Sequence, residues 1–162
     1  MKIENIIRRV LREQQEEQIL KIPSLKFFNN DWSILQKFLE SQGNPRYSIG
    51  GDLSLSYSDI ESLGNLVRVE GKLDLESCQN LESLENLEYV GGFLDLRITK
   101  IETLGNLNYV GSWLSLSDSD IETLGNLNYV GGFLSLGYTP LSKKYTIEEI
   151  RNMVEVVGKV YL

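Results

Sequence analysis

Hydrophobic residues recur along most of this chain with a period of 20, and polar residues fill equivalent places between them. The run IETLGNLNYVG occurs at 101–111 and again, letter for letter, at 121–131. Aligned on it, four units follow one another at 60–80 (one residue longer), 81–100, 101–120 and 121–140. They share the pattern (I/L)-E-(S/T)-L-x-N-L-x-x-V-x-x-x-L-x-L. A short fixed period of this kind predicts a solenoid in which each unit is one turn packed only against its neighbours. The inward set of the third unit is Ile101, Leu104, Leu107, Val110, Leu114 and Leu116. Turns stacked at the roughly 4.8 Å spacing of parallel strands would join these positions into one apolar spine.

Each unit ends in a strand. Phe93-Leu94-Asp95-Leu96-Arg97 alternates, so Leu94 and Leu96 point inward and Phe93, Asp95 and Arg97 outward; the equivalent windows are 72–76, 113–117 and 133–137. The glycines before the strand (Gly91, Gly92, Gly111, Gly131, Gly132) are expected to turn a tight corner at positive φ. LGNL is too short for a helix and reads as an arc. Asn65, Asn86, Asn106 and Asn126 fall in one column, where their amides are expected to bond to backbone and to one another.

Partial units extend the stack. Ile49-Gly50-Gly51-Asp52-Leu53-Ser54-Leu55 reproduces the corner and strand before the first full unit, and the segment 156–162 matches 69–75 in residue type, predicting a final strand. Residues 146–153 read as a capping helix with Thr146 as N-cap. Near the start, a stripe of Ile3, Ile6, Ile7, Val10 and Leu11 predicts an amphipathic helix that must dock on its own solenoid or on another chain. A second helix is expected from about Asp31 to Gly43, carrying Trp32, Ile34, Leu35, Phe38 and Leu39 over the solenoid's N-terminal face. The chain thus divides into an N-terminal helical arm (1–22), a helical cap (23–46), the solenoid (47–140) and a C-terminal cap helix with the last strand (141–162).

These repeats resemble the leucine-rich-repeat superfamily in a short bacterial or viral style, and the V-G-G-x-L-x-L corner resembles that of growth-factor-receptor L domains. The wording of the repeats and of the tail TPLSKKYTIEEI also resembles tailed-phage repeat proteins. The expected fold is therefore α+β: a leucine-rich-repeat-type β-solenoid with one parallel sheet of about six short strands, capped by helices at both ends. The resemblance implies a rigid surface for protein recognition without catalysis.

Composition narrows the chemistry. The chain has no histidine, which removes the commonest general base and most zinc sites; no cofactor or metal is expected and the chain is not read as an enzyme. Its single cysteine, Cys78, is read as a buried or loop thiol. The net charge of −7 is uneven. Residues 1–46 hold eight Lys/Arg and six Asp/Glu, giving +2, whereas 47–162 hold eight and seventeen, giving −9. An acidic solenoid repels phosphate backbones, so no nucleic-acid partner is expected. Neither a membrane partner nor a classical signal peptide is expected, which places the chain in the cytoplasm or on a virion.

The most informative outward column is Asp52, Lys72, Phe93, Trp113, Phe133, Lys159, in which three aromatics on successive turns predict an exposed ladder. Flanked by Asp95, Arg97, Ser115 and Ser135, it is the expected binding face. The alternatives are a ladder that only stabilises the sheet or lies under the first helix. Two further columns are Glu61/Glu82/Glu102/Glu122, expected to stand solvated, and Tyr89/Tyr109/Tyr129, expected half-buried. The leading expectation is a protein-interaction or assembly module, with Ile3, Ile7, Val10 and Leu11 as its oligomerisation face. A virion structural or decoration protein and a carbohydrate-binding module are the alternatives.

Overall fold

The computed structural model of the protein describes residues 3–162. It opens with α1 (Ile3–Glu17), β1 (Leu20–Ile22), a 3-10 turn (Leu25–Phe28) and α2 (Trp32–Ser41). The solenoid follows as paired strands, one pair per turn. These are β2 (Tyr47–Ile49) with β3 (Leu53–Ser54), β4 (Leu66–Val69) with β5 (Leu73–Asp74), and β6 (Tyr89–Val90) with β7 (Leu94–Asp95). The next two pairs are β8 (Tyr109–Val110) with β9 (Leu114–Ser115) and β10 (Tyr129–Val130) with β11 (Leu134–Ser135). The chain closes with α3 (Pro140–Lys144), α4 (Ile147–Met153), β12 (Glu155–Val156) and β13 (Val160–Tyr161).

The expected six-stranded parallel sheet is present, in the order β3-β5-β7-β9-β11-β13. It is not alone. The residues just before each glycine corner build a second parallel sheet, seven-stranded, in the order β1-β2-β4-β6-β8-β10-β12. An alternation of two residues, Tyr89 outward and Val90 inward, is too short to announce a strand in sequence, yet stacking in register completes a ladder from it. β1 adds the seventh strand, pairing Leu20, Lys21 and Ile22 with Tyr47, Ser48 and Ile49. The last residues of the span read as a helical arm therefore belong to the solenoid.

The inward columns form one continuous core, with Ile101, Leu104, Leu107, Val110, Leu114 and Leu116 all fully buried. Leu25, Leu35 and Leu39 close its N-terminal end. Asp31 caps α2, accepting from the backbone N–H groups of Ser33 (2.8 Å) and Ile34 (3.2 Å); the Ser33 hydroxyl donates to the same carboxylate, and these bonds lower its pKa. At the other end Thr146 and Glu149 make a reciprocal capping box at the start of α4. β13 pairs with β11, Leu134 against Val160, as the tail's repeat-like wording predicts. By contrast, the apolar stripe of α1 is not covered by the solenoid: Ile3, Ile6, Ile7, Val10 and Leu11 are all exposed.

The corner glycines do a different job from the one expected. Positive φ occurs at Gly64, Gly105 and Gly125 in the arc, where Glu85 takes the same conformation in the second unit, and not at Gly91, Gly111 or Gly131. At those corners the stacked backbones approach too closely for a side chain. A Cβ on Gly111 would collide with the carbonyl oxygen of Gly91, and one on Gly131 with that of Gly111. In the same row Gly50 also lacks a side chain, while Glu70, between Gly50 and Gly91, and Val157, at the C-terminal end, carry one.

A second feature was silent in the sequence. Tyr57, Ser77, Ile98, Asp118 and Tyr138, one per turn, sit at φ between 56° and 60°. This conformation costs a non-glycine residue roughly 1–2 kcal/mol. Its cause is twofold. The backbone N–H of the first four continues the sheet into the next turn, Ile98 donating to Ser117 O for example. The following residue then closes the bend from inside: the hydroxyls of Ser58, Thr99, Ser119 and Thr139 donate to the carbonyls of Leu55, Leu96, Leu116 and Leu136. Cys78 fills the same column and donates its thiol to Leu55 O at 3.0 Å.

Two substitutions separate the glycine roles. Gly111→Ala is expected to cost about 2–3 kcal/mol through forced separation of turns. Gly105→Ala, at φ 54° with open space around the new methyl, should cost only about 1 kcal/mol. Urea unfolding midpoints measure both, and equal losses would contradict the close-approach explanation.

Candidate functional site

The outward column forms the expected ladder on the six-stranded sheet. Phe93 stacks on Trp113 with centroids 4.1 Å apart and planes within 9°, and Trp113 on Phe133 at 5.4 Å and 2°. In-register pairing of β7, β9 and β11 sets each ring over the next. The Lys72 ammonium lies 5.7 Å from the Phe93 centroid at one end, and Tyr161 meets Phe133 edge-on at 5.9 Å at the other. Phe93 and Trp113 are half-buried, and Phe133 is 36% exposed. Sequence reasoning missed Tyr161, because it lies in the next column, paired with Ser135.

The polar residues expected beside the ladder are not equally open. Asp95 is only 3% exposed and is gripped by Arg97, whose Nε donates to Oδ1 (2.9 Å) and Oδ2 (3.0 Å) and whose Nη2 donates to Oδ2 (2.7 Å). Arg97 also reaches Glu76 at 3.0 Å. These carboxylates, the hydrogen-bonded Asp95 first, raise the guanidinium pKa above its ordinary value. Ser115 is buried, and Ser135 is half-buried with its hydroxyl 2.8 Å from that of Ser117. Asp95 and Ser115 therefore face outward without being accessible to a partner.

Asp74, Glu76 and Asp95 bring carboxylate oxygens within 4.8 Å of one another, the geometry of a cation site. Arg97 already supplies the positive charge there, so the cluster is an ion-pair network across two turns. Glu61, Glu82, Glu102 and Glu122 are all exposed, as expected of like charges stacked at strand spacing. Cys78 is buried and burial raises its thiol pKa, the opposite of a nucleophile's environment.

A second ladder runs on the seven-stranded sheet. Tyr89, Tyr109 and Tyr129 stack at 4.9 and 5.0 Å, half-buried, and the Arg68 guanidinium caps them 3.9 Å from the Tyr89 centroid. The Arg68 cap was not read from the sequence because the column changes residue type there. Beside this ladder an open groove of about 790 Å³ runs under α1, lined by Arg12, Tyr89, Tyr109, Asn108, Asn128 and Met153. The asparagine column is largely exposed. Asn65 donates to Asn44 O at 2.7 Å and Asn86 to Asn65 Oδ1 at 3.1 Å, so the predicted amide ladder forms at its N-terminal end.

Among the described residues no helix is long and apolar enough to cross a membrane. In comparisons with known proteins, no family model matches the chain, and neither a curated protein nor a solved structure matches it significantly.

The ion pair, with Asp95 buried and Arg97 partly exposed, makes a test of the site's wiring. Arg97→Ser removes the cation that grips Asp95 and is expected to cost about 1–3 kcal/mol. Asp95→Ser/Arg97→Ser rewrites the turn as Ser115 and Ser117 of its neighbour and should regain most of that stability. Urea titration of the pair decides; a double variant as unstable as the single one contradicts the network.

Proposed function

We propose that the chain is a non-catalytic protein-interaction and assembly module of leucine-rich-repeat type, and that its contact surface is the open edge of the Phe93/Trp113/Phe133 ladder. The observation that carries the reading is three parallel rings, locked by stacking, that remain partly exposed. Rings already fixed by their neighbours lose little conformational entropy when a partner covers them. Exposed apolar strips mark interaction sites, and aromatics dominate interface hot spots. The net charge of the solenoid adds a preference for a partner with a basic rim.

The type assignment is supported by the 20-residue turn and the L-x-L strand; the second sheet departs from the single sheet that the resemblance implies. The non-catalytic part rests on the absence of histidine and on the closure of the carboxylate cluster by Arg97. Stacking weighs against the carbohydrate alternative. A sugar ring packs on an aromatic face, and here the faces between the rings are covered by stacking while Lys72 and Tyr161 stand at the two outer ones. The virion setting rests on the phage-like wording of the repeats alone.

A photo-crosslinking amino acid at Phe133, compared with one at the exposed Glu102 on the arc, tests the reading in the native cell. One discrete protein adduct is expected at 133 and none at 102. Adducts at both positions, or at neither, would contradict it.

A further inference from the structure

α1 carries five exposed apolar residues on one face. Ile3 is 74% exposed and Ile7 52%, with Ile6, Val10 and Leu11 beside them. At 3.6 residues per turn these five span an arc of roughly 140°. Arg8, Arg9 and Arg12 lie on the opposite side, and Arg12 lines the groove above Tyr89 and Tyr109. The helix thus turns its polar side to its own solenoid and its apolar side away. Leu25, Leu35 and Leu39 fill the N-terminal end of the core, and Phe27 and Ile34 stay exposed over it rather than under the α1 stripe.

A lipid surface fits the face poorly. Glu4 stands one heptad before Leu11, and Glu13 one heptad after Ile6, so acidic residues border both sides of the stripe. Interfacial helices carry Lys and Arg there, and anionic headgroups would repel the glutamates.

Helices of the same kind fit well. Ile3, Ile7 and Val10 are spaced four and three residues apart, as d, a and d of a heptad, Ile6 and Leu11 fall at g and e, and Gln14 at the next a position ends the apolar seam. β-branched residues at both a and d, with apolar flanks, favour more than two helices. A single pair of 15-residue helices would also bury less than the roughly 1,200 Å² of a stable interface and leave the flanks wet. Charge agrees. In a bundle the arginines face outward, toward solenoids whose residues 47–162 carry eight Lys/Arg against seventeen Asp/Glu.

We propose that α1 joins three or four copies of this chain in a parallel bundle about a symmetry axis, with the solenoids arrayed around it. The ladder is left free in this arrangement, and the variants below do not touch it, so the two readings fail separately. Size-exclusion chromatography with light scattering on the full chain is expected to give three or four times the 18.4 kDa chain mass. Ile7→Glu/Val10→Glu should give the monomer mass with an unchanged solenoid circular-dichroism signal, whereas Arg8→Ser/Arg9→Ser should keep the oligomer. As a second route, Ile3→Cys should pair copies covalently under mild oxidation, since the native Cys78 is buried. A monomeric or dimeric full chain overturns the proposal. A monomer that floats with phosphatidylcholine/phosphatidylserine vesicles overturns it in favour of a lipid surface.

Discussion

In-register stacking of turns is the constraint on which the rest of this structure depends. When each turn lies one strand spacing above the last, every side chain sits over its own equivalent. Leucine over leucine becomes a continuous core, and aromatic over aromatic becomes a ladder of parallel rings. The same rule makes demands. Glutamate over glutamate must face water, and backbone over backbone at the corner excludes any side chain at Gly91, Gly111 and Gly131. A charge that breaks a column must be answered locally, as Arg97 answers Asp95 and Glu76.

Features that depend on period were legible in the sequence, and features that depend on local bending were not. The inward columns, the ladder, the Thr146 cap and the last strand follow from spacing and capping chemistry that any turn repeats. The second sheet was missed because two residues of alternation carry no signal alone. The left-handed bend at Tyr57, Ser77, Ile98, Asp118 and Tyr138 was missed because neither glycine nor asparagine marks it. Its real signature is the next residue, a Ser, Thr or Cys that donates inward to a leucine carbonyl. That column alternates among three residue types and so escapes a search for identity.

The candidate site divides along the same line. Phe93, Trp113 and Phe133 stand where the pattern puts them, because alternation alone fixes which face they occupy. Alternation cannot say how much of that face stays open. Asp95 and Ser115 point outward as expected but are buried, one under a bidentate arginine and the other within the sheet's own surface. What remains accessible is a strip of aromatic edges, with Lys72 and Tyr161 at its ends.

The central claim is that each 20-residue unit is one interchangeable turn. Deleting residues 101–120 tests it most directly, since the junction joins Lys100 to Ile121 as it once joined Lys100 to Ile101. The shortened chain should stay folded, unfold cooperatively in urea with a smaller m-value, and keep its β circular-dichroism signal. A deleted chain that is unfolded or aggregated under conditions where the parent is stable would contradict the account.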